Sequence, residues 1–338
     1  MKKIIFILMA SIMVLSLFAL VSCNGNSSTE NGDEKLKLGL GVYTETKASD
    51  ATEDKNGQGQ ATVTVAAVLV DDDGKVVKAF IDCADSTVSY TYEGKAIANS
   101  SFKTKYEAGR DYGMTNPLYG GTSTKEWYEQ ADIFCGLVVG KTAAEIKALV
   151  ADGSKGNDEV IGAGCTIMVE DFVKAIDKAI ANATASNATK NDPLRIGTST
   201  TQTTKDATDE VNGSNKVEST FVAAAINADG KIVAMSSDCV EVSFSFDEIG
   251  ASTFNTSKAV LSKKEQGSNY GMTNPLYGGT STKEWFEQAA VFDAACIGKT
   301  VSEISSLIGD DGKGNSDLQS AGCTISVSGF VKAAEKLK

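Results

Sequence analysis

The residues able to do chemistry are few, and they come in pairs. Gly164-Cys165-Thr166 and Gly322-Cys323-Thr324 each close a Gly-rich stretch that runs toward an amphipathic segment. A glycine turn feeding a helix exposes backbone N–H groups that suit a phosphate, and a Thr hydroxyl placed there could carry that phosphate covalently. The plainer reading is an ordinary Thr at a strand-to-helix junction. The chain has no His, which removes Ser-His-Asp and Cys-His hydrolases, His-built zinc or copper sites and c-type haem attachment. No CxxC occurs either, so no metal site is expected and thioredoxin-like exchange has no support. After Cys23, each half carries three cysteines: Cys83, Cys135 and Cys165, then Cys239, Cys296 and Cys323. An odd number per half leaves a thiol unpaired unless pairing crosses the halves.

These residues sit behind an export signal. Lys2 and Lys3 precede an uncharged apolar run from Ile4 to Val21, and Leu20-Val21-Ser22-Cys23 resembles the bacterial lipobox. That likeness makes Cys23 the lipidated first residue of the mature chain, held to the outer face of the cytoplasmic membrane by its acyl chains. An uncleaved membrane-spanning anchor is the alternative. Residues 1–22 are then the signal peptide and 23–35 a polar tether. The net charge is −12, a surface that phosphate backbones repel, so no nucleic-acid partner is expected.

The elements that must position the pairs are themselves repeated. Residues 112–131 read YGMTNPLYGGTSTKEWYEQA and residues 270–289 differ only at Phe286 in place of Tyr128. The displacement of 158 positions holds through Gly140-Lys141-Thr142, Gly164-Cys165-Thr166 and Phe172-Val173-Lys174-Ala175. Such self-similarity implies two domains from one ancestor, at 36–182 and 195–338, with a linker over 183–194 where small polar residues and Pro193 gather. In each copy, β-branched runs flank an Asp-Gly turn: 61–70 with 75–83, and 221–226 with 231–236. These read as hairpins, with further strands at 87–92 and 241–246. Ser123 and Glu126 read as a capping box ahead of Trp127, Ala131, Phe134 and Val138 at helical spacing, and Thr142 with Glu145 as a second. A last helix carries Phe172, Val173, Ile176 and Ile180. Strands first and helices later argue α+β, as a small antiparallel sheet plus helices in each of two tandem copies.

The order YGM, KEW-x-EQ, GKT, GCTI and a closing FVKA helix resembles the FMN-binding domain of flavinylated lipoproteins in extracellular electron transfer. More distantly it is similar to the RnfG and NqrC subunits of ion-pumping quinone and ferredoxin oxidoreductases. In that family a flavin transferase uses FAD to attach FMN through a phosphoester to a Thr. The resemblance therefore implies two covalent FMN groups, on Thr166 and Thr324, with Gly164, Cys165, Gly322 and Cys323 around them; Cys stands where the family has Ala. It also implies a membrane electron donor, an extracellular acceptor and an electron-transfer role rather than substrate conversion. From chemistry alone, Tyr112, Met114 and Trp127, with Tyr270, Met272 and Trp285, are candidate contacts for the flavin ring. Aromatic faces and Met sulfur pack on a flat ring, and equally on each other. A cofactor-free, lipid-anchored binding module or surface antigen is the competing reading.

Overall fold

The first half opens with two long strands, β1 (Lys37–Ser49) and β2 (Gly57–Val70), and the Asp71–Gly74 turn returns the chain as β3 (Val76–Tyr90). A short β4 (Ala96–Ile97) and five helices follow: α1 (Lys105–Ala108), α2 (Trp127–Val138), α3 (Ala143–Lys147), α4 (Asp158–Gly162) and α5 (Glu170–Ala181). These positions belong to a computed structural model that describes residues 34–99 and 101–337. The expected signal peptide, Cys23 and nearly all of the tether lie outside the described residues. After β5 (Thr184–Ala185) the second half runs β6 (Leu194–Lys205), β7 (Gly213–Ile226), β8 (Ile232–Phe246), α6 (Lys263–Gln266), α7 (Trp285–Cys296), α8 (Ser316–Ser320) and α9 (Ser328–Ala334). Both sheets are antiparallel, ordered β4-β3-β2-β1-β5 and β6-β7-β8. The class is mixed α+β, and no helix of the described residues is long and apolar enough to cross a membrane.

Strand alternation creates the layers. On β2, Val63, Val65, Ala67 and Leu69 point one way, while Ala66, Val68 and Val70 point the other. The first set joins Phe221, Ala223, Val240, Val242 and Phe244 in a core shared by both sheets. The second set packs under α2 and α5 through Trp127, Phe134, Phe172 and Ile176. Val222, Ala224, Ile232 and Cys239 do the same under α7 and α9. The order through Glu34–Lys338 is thus helices, sheet, sheet, helices, in one compact unit. A strand buried on both faces reads as a continuous apolar run, which is the appearance of residues 61–70. On β1 the helix-side positions are Gly39 and Gly41. A Cβ at Gly39 would lie 1.9 Å from the Ala179 carbonyl oxygen, so only glycine lets α5 settle directly on the strand.

Contacts between the halves come in pairs that exchange their roles. The Ala51 N–H donates to Gly250 O and the Ala207 N–H to Gly94 O, both at 2.8 Å. Asp206 accepts from the Ala96 N–H and Asp50 from the Ser252 N–H. Lys178 meets Glu265 at 2.5 Å, while Lys336 meets Glu107 at 2.6 Å. Tyr90 and Phe246, the last residues of β3 and β8, stack on each other with centroids 4.2 Å apart.

Four details differ from the sequence expectation. Residues 76–83 and 87–90 belong to one continuous strand, as do 232–236 and 241–246, while Thr91 and Tyr92 fall in the turn that follows. Strands β1 and β6 were not anticipated. Ser123 caps no helix: Glu126 is the N-cap of α2, in a reciprocal box with Glu129. The stretch expected as a linker is built into the sheet, since Thr184 and Ala185 pair with β1 and the Leu36 N–H donates to Ala188 O. Two of its small polar residues fix that course: the Ser186 hydroxyl donates to Leu36 O, and the Thr189 N–H and hydroxyl donate to Asp192 Oδ2.

Candidate functional site

Two loops carry the nearly unchanged sequence, and both hang from the first turns of α2. That helix forms because Trp127, Ala131, Phe134 and Val138 make one buried stripe and because the Glu126–Glu129 box closes its N-terminus. Glu126 is only 2% exposed. It accepts from the Met114 N–H at 2.9 Å, the Thr115 N–H at 3.0 Å and the Thr115 hydroxyl. The Thr115 hydroxyl bond comes first among the causes that hold its carboxyl below the ordinary range, with burial opposing and the two N–H donors assisting. Glu284 receives the same three donors from Met272 and Thr273 and is likewise lowered. Within the clamped loop, Asn116 accepts from the Leu118 N–H and caps the 3-10 turn Pro117–Tyr119. At the tip, Leu118 and Leu276 are each 91% exposed.

The second loop holds the threonines. Helix α4 ends in a Schellman closure: the Cys165 N–H donates to Val160 O and the Gly164 N–H to Ile161 O. Gly164 takes φ +97° and Gly322 φ +98°, the left-handed conformation that this closure asks of glycine. One residue on, the Thr166 N–H donates to Gln130 Oε1 at 2.7 Å, and the Thr166 hydroxyl lies 3.2 Å from the same oxygen. Gln130, fully buried on α2, is fixed in turn because its Nε2 donates to Ser123 Oγ and Lys125 O, each at 3.1 Å. In the second half Gln288 does this for Thr324, at 2.7 and 3.1 Å. Thr166 and Thr324 are themselves exposed.

This corrects the expectation of unpaired N–H groups aimed at an anion. The Gly-Cys-Thr turn follows a short helix rather than opening a long one, and each of its N–H groups has a partner inside the protein. Helix α5 begins only at Glu170. Cys165 and Cys323 face away from the surface, fully buried, with burial pushing their thiols up to about 11. Their side chains pack in the helix-side cores and stay protonated at neutral pH. All six described cysteines are free. The cation nearest the turn is a lysine that the sequence reading passed over. A Cβ added at Gly164 would lie 3.3 Å from Lys125 Cε, and Lys283 Nζ donates to Ala321 O at 3.0 Å.

The expected ring contacts divide. Trp127 is 5% exposed and meets Phe172 edge-on at 5.5 Å, so most of its surface belongs to the core. Trp285 packs on Phe330 at 5.6 Å. Tyr112 and Tyr270 are more open, and Met114 and Met272 lie half-buried against the helix-side cores. A half-buried ammonium joins these rings: Lys105 Nζ lies 5.4 Å from the Tyr112 centroid and 5.9 Å from that of Trp127. Lys263 repeats this with Tyr270 and Trp285, at 5.4 and 5.7 Å. The roles of Glu126, Gln130, Lys105 and Lys125 were missed, although KEW-x-EQ, unchanged between halves, contains three of the four. No family model, curated protein or solved structure matches this chain.

Proposed function

We propose that Thr166 and Thr324 each carry FMN through a phosphoester, and that the chain is an exported, lipid-anchored electron carrier built from two tandem copies of one ancestral domain. One observation carries the reading. In each half the N–H groups of the Gly-Cys-Thr turn are all paired and its Cys is buried, so the Thr hydroxyl is the turn's one nucleophile at the surface, oriented by a buried glutamine. A turn without spare N–H donors offers little to a free phosphate, so a covalent bond is what would keep the cofactor on a protein outside the cell. The bound flavin supplies the electron chemistry, and the protein positions it.

Attachment from FAD needs the Thr oxygen to form a bond to the flavin-side phosphorus while the pyrophosphate bond breaks and AMP leaves. The Gln130 amide orients the hydroxyl but cannot take its proton, which assigns the base to the flavin transferase. Lys125 and Lys283 stand where a phosphate charge would arrive, and Lys105 and Lys263 lie under the tyrosines proposed to meet the ring. Cys23 supplies the membrane attachment, a membrane quinol or reduced flavin the electrons, and an extracellular acceptor takes them.

Peptide mass spectrometry on protein co-expressed with a competent flavin transferase tests this. Two FMN adducts are expected, on the peptides containing Thr166 and Thr324. Thr166→Val and Thr324→Val should each remove one and the double change both. Bare threonines in the wild-type chain would leave the cofactor-free module as the better account.

A further inference from the structure

The two threonine loops occupy opposite corners of the sandwich. Helix α2, which holds Thr166 through Gln130, lies on the outer face of β3, and α7, which holds Thr324, lies on the outer face of β8. Across the shared core, β3 faces β6 and β8 faces β1. The sites therefore differ in layer, with two sheets between them, and in lateral position, over opposite edges of the stack. The small helices repeat the pattern: α1 is tied to one flank by Glu107–Lys336 and α6 to the other by Glu265–Lys178. With about 10 Å between stacked sheets and about 10 Å more for each helix layer, the loops stand on the order of 30 Å apart. The space between them is filled by Val63, Val65, Phe221, Val240 and their neighbours. Each end also has its own glutamine, lysines and exposed leucine, so neither site borrows a residue from the other.

Resting on the flavin reading, we propose that the two loops are independent ports, each serving its own encounters, with no electron traffic between them through the chain. Electron tunnelling decays exponentially with distance, and a packed double sheet lies along the direct path. With FMN on its threonine, a port would take two electrons and two protons from a donor and hand the same number to an oxidised acceptor.

The geometry is tested on the full chain by spin labels at Thr166→Cys and Thr324→Cys, with the wild-type chain as the control for labelling of native thiols. A mean separation of about 30 Å is expected from the layer spacings, and one under about 20 Å overturns the proposal. The traffic is tested on flavinylated protein with Thr166→Val and Thr324→Val. Independent ports predict that each single variant keeps about half of the wild-type acceptor reduction per chain, whereas a relay predicts near-complete loss in at least one. Absence of flavin from both threonines by mass sinks the flavin reading itself, and the label distance still decides whether the loops are remote.

Discussion

Asp82 is a carboxylate with a structural task and an unusual proton affinity. Its Oδ1 accepts from the Cys83 N–H at 2.6 Å and the Tyr106 N–H at 3.1 Å, pinning α1, and hence Lys105, to β3. Asp238 does the same for Cys239 and Lys264. Burial raises each to about 6, against the pull of hydrogen bonds from the Thr104 or Ser262 hydroxyl and the backbone. An unfolded Asp titrates near 3.9, so between about pH 4 and 6 the folded chain binds the extra protons. Their contribution to stability is present below that window and is lost as pH rises through it, on the order of 2–3 kcal/mol per site. The variant Asp82→Asn/Asp238→Asn, which cannot titrate, should therefore gain in Tm relative to wild type as pH goes from 4 to 7. A difference that stays flat with pH would contradict it. At this scale the threonines were legible in the sequence, because the same hydroxyl recurs after the same Gly-Cys pair in both halves. Gln130 was hidden, since its partner is 36 positions away, and so was Asp82, whose burial depends on a helix folding back over its strand.

Helix α2 is the element on which the site depends, since its first two turns supply both Glu126 and Gln130. The change Glu126→Gln puts an amide where a carboxylate takes three hydrogen bonds and leaves at least one partly buried donor opposed, a cost of about 1 kcal/mol. Hydrogen exchange should rise at residues 113–123, while the equivalent loop at 271–281 stays protected. Equal loosening of both loops would show that the clamp is not local. The apolar stripe of α2 and the box at Thr142–Glu145 were legible from spacing. Strand β3 was not read whole because Ala84-Asp85-Ser86 looks like a break. Across the ladder, though, Gln60 Nε2 and Thr62 Oγ1 both reach Asp85, at 2.7 and 3.3 Å, so a polar residue sits comfortably in mid-strand. Strand β1 escaped notice for a related reason: Gly39 and Gly41 lower strand propensity, and what they gain is the close seat of α5.

For the whole molecule, the repeat was plain in the sequence, but the joining of its halves was not. Inward residues such as Val65 or Val242 have the same alternation whether they face a neighbouring sheet or a separate core. Because the halves share that core, calorimetry should record one cooperative unfolding transition, with van't Hoff and calorimetric enthalpies agreeing. Phe246→Ala, which removes one ring from the stacked pair, should lower that single transition by about 3–5 kcal/mol. Two separate melts in the wild-type chain would refute the shared core. The crossed ion pairs, Lys178 with Glu265 and Lys336 with Glu107, have a corollary for assembly. Two surfaces that recognise one another reciprocally saturate on first meeting, unlike head-to-tail contacts, which close into rings or run on into fibres. A second copy of this polypeptide would find both of these surfaces already taken.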